Sequence, residues 1–212
     1  MKLYGFWRSS AAYRVRIAMG LKGLSYDQVS VNLTAGEQHR PAFGEINPQH
    51  LVPVLDEQDD RLYQSLAIIE YLEETHPEPP LLPKSPVERN RVRSLALIVA
   101  CEIHPLNNPR VLNYLTKNFG ISDDQKQTWY SDWVSSGFAA LEKRLAHELG
   151  TGRFCHGDTP SFADVALVPQ VANANRFKVD LTAFPTIRRI NEECLKLVAF
   201  QRAAPEQQPD AA

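Results

Sequence analysis

The sequence predicts a small α/β domain followed by an all-α domain. Three observations carry that division. Residues 1 to about 75 mix short apolar runs with helical stripes, in the order β-α-β-α-β-β-α. Residues 76–86 (His-Pro-Glu-Pro-Pro-Leu-Leu-Pro-Lys-Ser-Pro) hold five prolines, which no helix or central strand tolerates, so they read as a stiff linker. After Val87 the strand signals largely disappear and apolar residues recur at helical spacing. The boundaries follow as 1–77 for the first domain and 87–212 for the second.

Met1 to Trp7 is short, apolar and aromatic, with Leu3 to Trp7 suited to a buried strand. Arg8-Ser9-Ser10 is polar. From Ala11, residues Val15, Ala18 and Met19 share one helical stripe, with Arg14 and Lys22 off it. Ser9 or Ser10 is then the N-cap, and Gly23 sits where a C-terminal glycine would. Tyr26 to Leu33 alternates as a second strand, and Glu37 to Phe43 is weakly helical. In Asn47-Pro48-Gln49-His50-Leu51-Val52-Pro53-Val54-Leu55, two prolines and an apolar run give a rigid turn into a strand. Asp56 to Arg61 reads as a polar hairpin turn and Leu62-Tyr63 as the return strand. Leu66 to Leu72 is a strong helix with Ser65 as its N-cap. This order is the layout of a thioredoxin-like domain.

In the second half, Val92, Leu95, Val99, Ile103 and Leu106 fall on one helix, which Pro105 and Pro109 should kink or end. Trp129, Trp133, Leu141 and Leu145 mark a second long helix ending near Gly150. Ser161-Phe162-Ala163-Asp164 is a capping box ahead of an apolar run, and Pro169 should bend the helix that follows. Shorter helices cover Ile187 to Cys194 and Leu195 to Ala203, and the polar tail from Pro205 reads as frayed.

Composition narrows the function classes. With 43% hydrophobic and 23% charged residues the chain is an ordinary globular one, and a net charge of -2 gives no field to attract nucleic acid or an anionic membrane. No apolar run approaches a membrane span, and Met1-Lys2-Leu3 runs straight into a strand without a signal-peptide layout. Cys101, Cys155 and Cys194 are few, odd in number and far apart, which argues against a disulfide framework or a metal site and for a cytoplasmic setting. Each reads as a buried packing cysteine.

Two helix starts, at Ser9-Ser10 and at Gln64-Ser65, follow strand ends and offer unpaired N–H groups with a partial positive charge. They are candidate anion sites where open sheets bind ligands. A cis peptide before Pro53 would leave the Val52 main chain ready to pair with a peptide-like ligand. A thiol, a peptide bond and a carboxylate in one molecule would satisfy all three, and glutathione is such a molecule.

The residues carrying these features resemble a known family. Phe6 to Arg16, Asn47-Pro48 with Val52-Pro53, and Gln64 to Leu72 are similar to the cytosolic glutathione transferases, most closely the zeta class, which includes maleylacetoacetate isomerase and is close to bacterial maleylpyruvate isomerase. Pro169 to Leu181 matches that class's signature in the second domain, so the resemblance covers essentially the full chain. It implies the glutathione transferase fold, glutathione as cofactor and a homodimer. It also implies roles. Ser9 steadies the glutathione thiolate, with Ser10 beside it; Gln64 and Ser65 hold the γ-glutamyl carboxylate; Val52 pairs with the cysteinyl unit; Gln38 lies near the glycyl end. His104 and Asn108 fall on the first long helix, facing the sulfur. Arg176 and Arg8 are the arginines for an acidic substrate, with Arg110 a third candidate. Where the class usually has Ser-Ser-Cys, this chain has Ser9-Ser10-Ala11, so no protein thiol at that point is required.

Several of these residues have plainer readings. Arg14 and Arg16 read as structural, pairing with acidic groups between the domains. Arg8 divides between substrate and solvent. His50 and His156 read as ordinary hydrogen-bonded histidines, Glu70 as a support for the Pro53 loop, and Asp164 as a capping residue. The resemblance implies isomerisation of a maleyl keto acid, a small dicarboxylate, by addition and elimination of the glutathione thiolate, in tyrosine and phenylalanine breakdown. Maleylpyruvate of gentisate breakdown is the alternative substrate. A glutathione-conjugating transferase is a further alternative, disfavoured by the arginines, and a non-enzymatic interaction protein would have lost the Ser9, Val52 and Gln64-Ser65 features.

Overall fold

In the computed structural model, which describes residues 1–211, β1 (Lys2–Gly5) turns Leu3 and Gly5 inward, as its alternation predicts. Chain tracing then gives α1 (Ser10–Leu21), β2 (Asp27–Ser30), a short turn of 3-10 helix at Glu37–His39, α2 (Pro41–Gly44), β3 (Val54–Glu57), β4 (Asp60–Tyr63) and α3 (Ser65–Thr75). The sheet order is β2-β1-β3-β4, with β2 parallel to β1 and the other pairs antiparallel. This is the thioredoxin-like arrangement the element order implies.

Helix α1 is buried on most of its surface. Ala12, Val15, Ile17, Ala18 and Met19 have no exposed area, and each large apolar side chain so buried contributes about 1.5–3 kcal/mol. Gly5 lets the helix approach β1: a Cβ there would sit 3.3 Å from that of Ala12. Gly23 ends the helix in the left-handed conformation (φ 67°), and the Leu24 N–H closes back on Met19 O at 2.9 Å. Behind α1, Lys22 Nζ is buried, donating to Glu73 Oε2 (2.7 Å), His76 O (2.7 Å) and Pro79 O (3.1 Å). Both Glu73 oxygens accept from the Leu81 N–H, so the proline-rich segment is pinned as far as Leu81.

Several expectations shift. The second strand is shorter than Tyr26–Leu33, and the weakly helical stretch breaks at Arg40-Pro41 into two short pieces. The hairpin turn narrows to Gln58-Asp59, with Gln58 at φ 53°. Ser65 is not the cap of α3. Gln64 occupies that position with φ 66° and ψ 115°, and Ser65 is buried as the first helical residue.

The second compact unit, Leu82–Cys194, is all helical. Helix α4 (Pro86–Leu97) widens into a π-helical stretch at Ile98–Ile103, and the chain turns before α5 (Pro109–Phe119). Pro109 therefore opens a helix rather than only ending one, because proline fits a first turn whose N–H needs no partner. Asn108 is the N-cap of α5, accepting from the Arg110 N–H at 3.0 Å, so it does not lie on the first long helix. Helix α6 (Asp123–His147) begins with a capping box of Ser122 and Gln125, buries Tyr130, Val134, Phe138, Leu141 and Leu145 on one stripe, and stops short of Gly150. His156 Nδ1 accepts from Arg91 Nη1 at 3.2 Å, as a hydrogen-bonded histidine should.

Helix α7 (Phe162–Arg176) is the core helix of this unit, buried continuously from Phe162 to Val171 and running through Pro169. Its capping box is confirmed and extended. Asp164 has no exposed area and accepts from the Ser161 N–H (2.8 Å), the Ser161 hydroxyl (2.6 Å) and the Cys155 N–H (2.8 Å). Burial raises its pKa against those donors, which lower it. Cys155 and Cys194 are buried beside it, where burial pushes both thiols up; Cys101 is exposed, contrary to its packing assignment, because it lies on the outer side of the π-helical stretch. Helix α8 (Pro185–Leu195) is capped by Glu142, which accepts from the Thr186 and Ile187 N–H groups at 2.9 Å each.

The chain from Leu195 belongs to the first unit, with Met1–Leu81, and not to the helical one. Helix α9 (Val198–Ala203) packs on α1: Tyr13 Oη donates to Phe200 O (3.4 Å) and Arg16 Nε to Ala203 O (3.0 Å). Arg16 also donates from Nη2 to Trp7 O (3.0 Å), so these hydrogen bonds go to backbone carbonyls, where the sequence reading expects acidic groups. Burial lowers its pKa to about 10. The tail expected to fray is fastened instead. Gln208 is buried and donates to Arg202 O (2.9 Å) and Ala204 O (2.8 Å), and Asp210 accepts from the Trp7 N–H (3.0 Å) and Gln28 Nε2 (2.8 Å).

Asp164→Ala strands two buried N–H groups and a hydroxyl, and should lower unfolding stability by about 3 kcal/mol or more. A denaturant-midpoint series checks this; a loss under about 1 kcal/mol would show that other acceptors replace the carboxylate.

Candidate functional site

Sheet register decides which chain segments meet. Tyr4 of β1, Val54 of β3 and Tyr63 of β4 lie side by side across the sheet. The residues after Tyr4, before Val54 and after Tyr63 therefore emerge at the same end. These are the Phe6–Ser10 segment, Val52-Pro53 and Gln64-Ser65. Phe6 and Val52 share one buried apolar cluster with Val31, Phe43 and Val54. Arg14, on the second turn of α1, donates from Nη1 to Ser65 Oγ at 3.4 Å, and Gln64 Nε2 donates to Gln49 Oε1 at 2.8 Å.

Ser9 is the N-cap of α1. Its Oγ accepts from the Ala12 N–H (3.2 Å), which leaves the hydroxyl proton to donate elsewhere. The α-helical pattern gives the Ser10 and Ala11 amides no partner within the helix, and neither α1 nor α3 has an acidic residue in its first turn. Both helix starts thus keep their positive ends uncompensated. Ser10 is buried as the first residue of α1. Arg8 is exposed, with its guanidinium 4.7 Å from the Trp7 ring centroid and Nη2 donating to Thr34 Oγ1 at 3.3 Å.

The loop into β3 is shaped by Asn47, which is buried. Its Nδ2 donates to Leu51 O (2.7 Å) and its Oδ1 accepts from the Gln49 N–H (3.0 Å). The Val52–Pro53 peptide is cis, as the sequence suggests. The Val52 side chain is buried while its main-chain N–H and C=O make no hydrogen bond among the described residues. Gln38 lies on the 3-10 turn before α2. Its carbonyl accepts from His50 Nδ1–H at 2.7 Å, and its side-chain Oε1 is buried without a partner. An unpaired main-chain N–H and C=O, a buried amide oxygen and two helix starts fit an extended peptide that carries an anionic group.

The helical unit holds the remaining predicted residues. His104 follows the π-helical stretch, its N–H donating to Val99 O at 2.9 Å. Asn108 and Arg110 occupy the start of α5, and Arg110 is exposed. Arg176 ends α7, with Nη2 on Asn173 Oδ1 at 2.9 Å. The sequence reading assigns Asn47 and Gln49 no role of their own, and the Asn-Pro pair just before the loop is the signal available for them. The Arg14–Ser65 contact joins residues 51 apart and left no local trace.

Residues 3–80 match the model of the glutathione S-transferase N-terminal domain and residues 127–192 that of the C-terminal domain. A probable maleylacetoacetate isomerase of Vibrio cholerae is 50% identical over 211 residues, 99% of this chain and 97% of that one. A solved holo structure of maleylpyruvate isomerase, described as a bacterial zeta-class glutathione S-transferase, is 51% identical with a TM-score of 0.99 and full coverage of both chains. A maleylacetoacetate isomerase from Methylobacterium extorquens AM1, solved with malonate and GSH bound, is 48% identical with a TM-score of 0.97, again over the whole of both chains.

Gln64 stands in a left-handed backbone conformation that glycine adopts more readily. Gln64→Gly should therefore leave thermal stability unchanged or raise it by up to about 1 kcal/mol. A clear loss in a melting experiment would show that the bond to Gln49 outweighs the strain.

Proposed function

The chain belongs to the glutathione S-transferase family, and within it we propose a glutathione-dependent cis–trans isomerase that converts maleylacetoacetate to its fumaryl isomer. The observation that carries this reading is that half the chain, across both units, is identical to relatives named for maleyl isomerisation. The unpaired Val52 main chain between two helix starts supports glutathione as the bound peptide.

Each residue then has a task. Gln64 and Ser65, at the start of α3, hold the γ-glutamyl carboxylate with the first-turn amides. Val52 pairs through its N–H and C=O with the cysteinyl unit, and Gln38 takes a group near the glycyl end. Ser9 Oγ, held by the Ala12 N–H, donates its proton to the sulfur, while the α1 N-terminus adds partial positive charge. Together they favour the ionised form of a thiol, as positive surroundings do for cysteine. When bound there, glutathione would supply the thiolate nucleophile for reversible addition to the cis double bond, the chemistry that permits its rotation. Arg8, Arg110 and Arg176 fix the substrate carboxylates, since a guanidinium matches a carboxylate with paired donors. Negative charge growing on the carbonyl oxygen is stabilised by the same groups. Ala11 supplies no thiol, so no protein sulfur takes part at this helix start.

Maleylpyruvate is a second substrate reading, favoured by the TM-score of 0.99 to the maleylpyruvate isomerase. We assign the main reaction to tyrosine and phenylalanine breakdown in the cytoplasm; three cysteines without a disulfide support a reducing compartment. The proposed assembly is a homodimer, and a sizing column distinguishes it from a single chain of 23.9 kDa.

Fumaryl product should form from maleylacetoacetate only when glutathione is present; turnover that ignores glutathione overturns the mechanism. Comparing the two maleyl substrates under those conditions decides between them. Ser9→Ala should cost roughly 10- to 100-fold in kcat/KM, the worth of a hydrogen bond to a charged group, and Ser10→Ala much less. Equal losses would assign the hydroxyl role wrongly.

A further inference from the structure

Arg176 sits in a frame that its binding role alone does not require. The residue is exposed at the end of α7, where a free arginine samples many rotamers and loses that freedom on binding a ligand. Here its guanidinium carbon lies 4.6 Å from the Phe177 ring centroid, and Nη2 donates to Asn173 Oδ1 at 2.9 Å. The Phe177 ring is itself fixed. It stacks on Tyr130 of α6 with centroids 3.9 Å apart and planes 19° from parallel, and Tyr130 has no exposed area. Gln127, also on α6, donates from Nε2 to Phe177 O at 2.7 Å. Burial pushes the Tyr130 phenol up to about 12, while the Arg176 charge lowers it, so that charge is within electrostatic reach of the stack.

We propose that Phe177, backed by Tyr130 and assisted by Asn173, is a positioning residue that holds the Arg176 guanidinium ready for a substrate carboxylate. The ring's negative face attracts the cation, and the buried Tyr130 ring denies Phe177 the movement that would release it. The hydrogen bond to Asn173 fixes the guanidinium plane, so its remaining edge is presented in one orientation. This rests on the assignment of Arg176 to substrate binding, and it adds a specificity element: the frame favours a substrate with a carboxylate at that place over one with a neutral group.

The test is steady-state kinetics of the full-length protein, with the maleyl substrate varied at saturating glutathione and glutathione varied separately. Arg176→Ala is the reference and should raise the substrate KM about tenfold or more without changing the glutathione KM. Phe177→Leu should raise the substrate KM about two- to fivefold, with the glutathione KM unchanged. Phe177→Tyr, which keeps the ring, should restore the wild-type KM. In the Arg176→Ala background Phe177→Leu should add nothing, because its effect passes through the guanidinium. A rise that persists in that background, or no rise in Phe177→Leu, overturns the proposal. If Phe177→Leu does not fold, Asn173→Ala on the half-buried flank of α7 carries the same comparison with the same two outcomes. A silent Arg176→Ala would overturn the carboxylate assignment itself. A strong Arg176→Ala with silent Phe177 and Asn173 variants would overturn the positioning role alone.

Discussion

The alignment of Tyr4, Val54 and Tyr63 across three strands is the constraint on which the first unit's site depends. Strand register moves in single residues, and a slip of one turns every side chain to the other face. Here it would carry Leu3 and Leu55 out of the core, since both have almost no exposed area. The hydrophobic pattern that buries these leucines thereby also fixes where β1 and β4 release their helices. Site geometry is a by-product of core packing in this unit. The two helix starts need no contact with each other to arrive at one edge.

Polar groups inside both units are placed by the same economy. Lys22 is withdrawn from water but meets a carboxylate and two carbonyls, and Asp164 meets two N–H groups, a hydroxyl and the Cys194 thiol. Charges so enclosed cost free energy unless nearly all their hydrogen-bonding capacity is used. The Val52 main chain and the Gln38 amide oxygen depart from that rule, and both lie in the unit expected to bind a peptide.

Local chemistry made much of this legible in the sequence. The seven elements from β1 to α3 come from short-range patterns, and Ser9 as a helix cap follows from its neighbours. Ser65 was misplaced by one residue because a serine before an apolar run has the look of a cap, whereas its hydroxyl is used by Arg14 from another helix. Helix α5 is not legible in the sequence because Pro109 reads as a stop, although proline serves equally at a helix start. The tail looked polar, and its anchors, Trp7 and Gln28, lie about 200 residues earlier in the chain, beyond any sequence window. Fold order was therefore readable and long-range fastening was not. Among the candidate residues, those at helix starts are legible from local pattern, and those whose partners lie elsewhere in the chain, such as Asn47 and Gln49, are not.

The bond from the Trp7 N–H to Asp210 spans 203 residues and has a consequence for how the molecule is made. Trp7 leads directly into Arg8 and Ser9, so the turn that carries the candidate sulfur-binding hydroxyl is fastened by a segment translated about 200 residues later. The helical unit, whose residues are contiguous, can complete itself while synthesis continues. The first unit cannot, although its strands are made before the helical unit. Its N-terminal sheet must wait with the α1 face open until α9 arrives to cover it. Order of synthesis and order of completion are thus reversed between the two units.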